Sequence, residues 1–170
     1  MKGKKKNQDW EESSPPESHI YMSPKSSYIN SELFIRWLEQ TFFPNLTGPK
    51  NLLILDGHGS HMQYAALELC RQHDVTVVCL PSHMTHKLQP LDVSFFGTFK
   101  AKFKDACNKG FKTHQGQRLT RYQMGGIIKR AWDQTAIPST ASAGFRATGI
   151  FPFNSDIIPS SDFTIADNME

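Results

Sequence analysis

Two spacings of apolar residues alternate along the chain. Leu33, Phe34, Trp37, Leu38 and Phe42 recur at helical intervals and predict a helix over 31–42, with Ser31 as its N-cap. "LLILD", 52–56, is a short continuous apolar run and reads as a buried strand. "MQYAALELCRQHD" returns to helical spacing and predicts a helix over roughly 61–73, with Ala65, Ala66, Leu69 and Cys70 turned inward. "VTVVCL", 75–80, is a second apolar strand that ends at Pro81. A strand–helix–strand unit with connections this tight predicts two adjacent parallel strands, in a sheet covered on both faces.

Beyond the second strand, "PSHMTHKLQPLD" reads as a loop and "LDVSFFGTFKAKFKDAC" as a helix over 91–107, with Pro90 at its start, where a missing N–H costs nothing. Phe96, Phe99, Phe103 and Cys107 define its expected apolar face, and at α-helical phase Asp92 falls on that same side. "RYQMGGIIKRAWDQT" predicts a further helix, weakened by Gly125 and Gly126. "GFRATGIFPFNSDIIP" is a turn-rich apolar close. Trp37, Trp132 and Cys79 are expected in the core, whereas Trp10 lies in a polar stretch and receives no role.

Composition narrows the class. Hydrophobic residues make up 38% and charged residues 21% of 170, as in globular domains, and no apolar run approaches the roughly 20 residues that span a bilayer. No membrane partner is therefore expected. The lysine-rich start lacks the apolar stretch of a secretory signal. Three cysteines, Cys70, Cys79 and Cys107, without CxxC spacing suit free thiols in a reducing compartment. Residues 1–27 are polar and rich in Ser and Pro and read as a disordered tail, in which "KGKKK" is either a solubilising terminus or an import or phosphate-binding signal.

Net charge is only +3, but its distribution is uneven. Lys100, Lys102, Lys104, Lys109, Lys112, Arg118, Arg121, Lys129 and Arg130 share their span with a single acid, Asp105. A solvated helix face accounts for such a run; so does a surface that meets a phosphate backbone. Asp56 adds a second feature, because a buried strand rarely delivers a carboxylate at its end. Ligands of open α/β sheets bind at the carboxyl ends of the strands, where Asp56 sits and where the second strand leads to Asp92. Two carboxylates converging there need a cation between them, and magnesium, or manganese in its place, takes such oxygen ligands while keeping waters for a substrate phosphate. His58, His61, His83 and His86 are expected to line that notch or contact phosphates, together with Lys87. The same histidines with Asp56 and Asp92 leave open a His/Asp transition-metal hydrolase, although no HExxH or cysteine pair supports it.

"LLILDGHGSH", "PSHMTHKLQPLDVSFFGTFKAKF" and "GFRATGIFPFNSDIIP" together resemble the DDE superfamily endonuclease domain, and within it the transposase-derived pogo, Tigger and jerky-like branch. The resemblance spans roughly residues 20–160. It implies an α/β, RNase H-like fold, two divalent metals held by three acids, and DNA strand cleavage and transfer in the nucleus. Asp56 takes the second acidic position and Asp92 the third, with thirty-five residues between them. The first acid lies on an upstream strand in the family, and residues 1–50 offer no such strand. The expectation is therefore an incomplete RNase H-like fold, two parallel strands with flanking helices and the first three strands missing: a partial domain over 28–160, followed by a short tail at 161–170. The resemblance and the basic run together imply non-specific DNA binding through His58, His61, His86, Lys87, Lys100, Lys102 and Lys104. They imply weak Mg2+ or Mn2+ binding, lapsed or incomplete cleavage, and self-association through an exposed sheet edge. A non-catalytic DNA-binding or scaffold protein is the alternative.

Overall fold

The computed structural model describes residues 9–26, 28–81, 84–113 and 118–159. The N-terminal lysine run, His83 and the tail at 161–170 lie outside the described residues.

Strands β1 (Asn51–Leu55) and β2 (Val75–Cys79) pair in parallel, in register from Asn51↔Val75 to Leu55↔Cys79. The helix between them, which we call α3 (Tyr64–Gln72; α1 and α2 precede β1), makes the crossover that parallel pairing requires. It enters β2 through only two residues, and Asp74 closes that turn at φ 54, in the left-handed region that Asp tolerates better than most side chains.

Helix α2 (Ser31–Trp37) covers one face of the sheet. Its N-cap is Asn30, one residue before the serine expected, and the Asn30 side-chain oxygen accepts from the Leu33 N–H at 2.9 Å. Phe34 and Leu38 from this segment meet Leu53 of β1, Ala66 and Cys70 of α3, and Val75 of β2 in one buried core. Burial pushes the Cys70 thiol pKa up, which keeps it protonated and inert.

The structure corrects several expectations. The helix over 31–42 is α-helical only to Trp37, and Leu38–Phe42 is a π turn. The helix expected at 91 likewise opens on a π turn, Leu91–Phe95, before α5 (Phe96–Thr113), with α4 (Thr85–Leu88) ahead of it. In this second turn the Ser94 hydroxyl bonds to the Pro90 carbonyl at 3.0 Å, the group an α-helix would leave for the Ser94 N–H. A π turn holds more residues than an α turn, so the phase slips. The buried residues are Phe95, Ala106 and Gly110, not Phe96 and Cys107, and Asp92 is exposed rather than turned to the sheet.

Further corrections concern burial. The sheet is covered on one face only: on the other, Leu52 is 53% and Val78 42% exposed, and Leu52 and Ile54 of β1 line an open cleft of about 590 Å³. Cys79, expected in the core, is exposed at the end of β2. Trp132, on α6 (Arg121–Thr135), lines that cleft and is 42% exposed. Trp10, conversely, is 7% exposed on the short helix α1 (Asp9–Glu12), edge-on to Tyr122 of α6, so residues 9–26 are not wholly a loose tail. Gly125 permits this approach, since a Cβ there would overlap Ser13 Oγ and lie 2.8 Å from the Trp10 carbonyl. Helix α7 (Pro138–Ala147) then packs against the Leu91–Phe95 turn.

Candidate metal and nucleic-acid site

The β1–β2 ladder is extended by the Leu80 N–H, which bonds to the Leu55 carbonyl at 2.8 Å. Asp56 is thus the first residue beyond the paired strand, at its carboxyl end. The glycine-rich loop that follows folds back on it. Asp56 Oδ1 accepts from the His58 N–H at 3.3 Å, an Asx-type turn, and lies 2.8 Å from His61 Nδ1. His58 Nδ1 lies 2.7 Å from the hydroxyl of Ser60, which is buried. His61 is held from behind by the Phe34 ring at 4.5 Å between centroids, so the core side of α2 reaches the loop. The Asp56 side chain is 40% exposed and that of His61 15%.

Asp92 follows β2 by way of α4 and lies in the π turn, with its backbone N–H on the Gln89 carbonyl at 3.0 Å. Its carboxylate makes no hydrogen bond or ion pair among the described residues. Ile54, two residues before Asp56, and Leu91, next to Asp92, line the same cleft. Among the described residues no group of three or more His, Cys, Asp or Glu side chains is gathered as a metal-binding cluster. The donors at hand are hard carboxylate oxygens, which suit one magnesium-like cation, whereas His58 and His61 each direct Nδ1 to a protein group.

His86, on α4, is exposed and Lys87 half-buried. On α5, Lys100 and Lys104 are one turn apart and exposed, but Lys102 lies on the opposite flank and is half-buried. Lys129 is engaged by Asp133 at 2.6 Å. The sequence reading singled out His61 and Asp56 separately and missed their pairing; the glycine-rich loop of four residues between them was the only signal.

A family description, the DDE superfamily endonuclease, matches residues 1–144. The chain belongs to that family. Its members generally use divalent metals, and the parallel β1–β2 pair with flanking helices is consistent with part of their RNase H-like fold. The closing motif "FRATGIFPFN" lies just beyond the matched residues. The chain is also similar to the MFS-type transporter clz9 of Cochliobolus lunatus, 27% identical over 156 residues, which is 89% of this chain but only 17% of that protein. No solved structure matches the chain. No helix among the described residues is long and apolar enough to cross a membrane.

Proposed function

We propose that this chain is a transposase-derived DDE endonuclease-like domain of the pogo, Tigger and jerky-like branch. In this reading it binds DNA without sequence preference and holds one divalent cation through Asp56 and Asp92. The observation that carries it is the position of Asp56 immediately after β1, in a chain of this family. Asp92 in the turn after β2 supports it. Mg2+, or Mn2+ in its place, bound there would offset charge on a phosphodiester oxygen. Asp56 and Asp92 would supply oxygens, and His58, His61 and His86 the polar surroundings. Cleavage is incomplete with two acids, so DNA binding in the nucleus is the activity that remains. A DNA-binding scaffold without cation chemistry is the second reading, favoured by the lack of any metal-binding group of three or more His, Cys, Asp or Glu among the described residues.

Replacing Lys100 and Lys104 with glutamine is expected to weaken binding equally on unrelated DNA duplexes and to flatten the dependence of log K on log salt by about 2, since each phosphate contact contributes a slope near 0.9. Lys102→Gln alone should change little, because that side chain is half-buried on the other flank. Fluorescence anisotropy across a salt series measures both. An unchanged slope in the double variant assigns these lysines to solvation.

Self-association belongs to the same reading. β1 pairs with β2 alone in a two-stranded sheet, which leaves its other edge without a strand partner among the described residues. Sedimentation velocity should show a dimer growing with concentration, and Ile54→Lys on β1 should suppress it. A monomer at every concentration removes this part of the proposal.

A further inference from the structure

The geometry points to His61 as a positioning residue that fixes which oxygen of Asp56 is offered to a cation. This rests on the reading of Asp56 as a cation ligand. Both hydrogen bonds given to the Asp56 carboxylate, from the His58 N–H and at His61 Nδ1, converge on Oδ1. Oδ2 has no partner among the described residues. A carboxylate on a half-exposed loop side chain otherwise turns freely about its last torsion, which is broad and two-fold. With Oδ1 held at 2.8 Å, that torsion is fixed and Oδ2 becomes the oxygen presented outward.

The clamp works only if His61 is itself held in place, and its packing and bonding hold it. Its side chain is 15% exposed, its ring lies against Phe34, its backbone N–H is bonded to the His58 carbonyl at 2.9 Å, and Phe34 stacks in turn on Trp37. The bond also dictates chemistry. An ionised carboxylate only accepts, so Nδ1 must carry the proton and Nε2 is left as the acceptor of a neutral ring. His61 thereby plays toward a carboxylate ligand the part that hydrogen-bonded outer groups play at many metal sites, where their loss typically costs 10–100-fold in affinity.

The test uses the full chain and two readouts. Nitrogen chemical shifts of the His61 ring should show the Nδ1–H tautomer at a pH where the ring is neutral, and Asp56→Asn should shift them. Mn2+ titration followed by electron paramagnetic resonance should show His61→Leu binding about tenfold more weakly, within the range above. His61→Asn, whose amide N–H2 occupies the place of Nδ1–H, should restore most of the affinity. An Nε2–H tautomer in the unmodified chain, or equal Mn2+ affinity in His61→Leu, overturns the inference. If Mn2+ binding is insensitive to Asp56→Asn, the cation reading of Asp56 fails, and the tautomer alone then decides whether His61 holds the carboxylate.

Discussion

Gly144→Val is expected to destabilise the fold by about 3 kcal/mol, at the upper end of what overpacking costs. Gly144 is buried on α7 where that helix meets the Leu91–Phe95 turn. A Cβ there would sit 2.6 Å from Ser94 Oγ and 2.7 Å from the Pro90 carbonyl oxygen. The first neighbour is a hydroxyl already placed between two carbonyls, those of Pro90 and Thr140, each at 3.0 Å. The second is backbone, and it cannot retreat without shifting the turn that carries Asp92. Alanine at 144 would recover up to about 1 kcal/mol of helix propensity relative to glycine, which offsets part of the clash. Valine recovers less and adds two methyl groups. Gly126→Ala on α6 is the internal control, because a Cβ there meets nothing within 4 Å. It should stabilise by about 0.5–1 kcal/mol, the propensity term alone. Urea unfolding midpoints compare the variants. A midpoint unchanged in Gly144→Val would mean that α7 does not seat on the turn as described.

The contrast between neighbouring glycines shows where sequence reading ends. Gly125 and Gly126 look alike in the sequence, and both weaken a helix. Only the structure distinguishes them, since Trp10 and Ser13 approach one and leave the other open. The parallel strand pair was legible because two apolar runs flank a helical pattern with connections too short for any other arrangement. Burial on the far side of the sheet was not legible. Alternation within five-residue strands says that two faces exist, not that both are covered, and Leu52 and Val78 turn to the open one. Trp10 was missed for the converse reason: its polar neighbours hid a side chain that packs on a helix more than a hundred residues later. The position of Asp56 at the end of β1 was legible from the apolar run before it. The place of Asp92 after β2 was legible, but its direction was not, because extrapolating α-helical phase through a π turn rotates every earlier side chain. The bond between His61 and Asp56 depends on how the loop folds, which no periodicity encodes.

Asp56→Asn is expected to abolish saturable Mn2+ binding, and the unmodified chain is expected to leave supercoiled plasmid uncut in magnesium or manganese. The two expectations share one argument. Mg2+-like ions held by one or two carboxylates rely on substrate phosphates and water for the rest of their shell, so the site should bind at about 1 mM, or about 4 kcal/mol. If Asp56 and Asp92 contribute equally, loss of one charge leaves about 2 kcal/mol, a dissociation constant of roughly 30 mM that no titration resolves from background. An asparagine retains the shape of the side chain and removes only its charge, so the loss reports on charge rather than packing. Two-ion cleavage asks more: four positive charges against the two negative ones of Asp56 and Asp92, and no group of three or more acids or other metal ligands is gathered among the described residues. At least one ion should then be held too weakly to activate water or to stabilise the leaving oxygen. A nicking assay with Asp56→Asn alongside settles it. Robust cutting that disappears in the variant would mean that another group of the chain completes the site, and the expectation of inactivity would fail while the role of Asp56 stood.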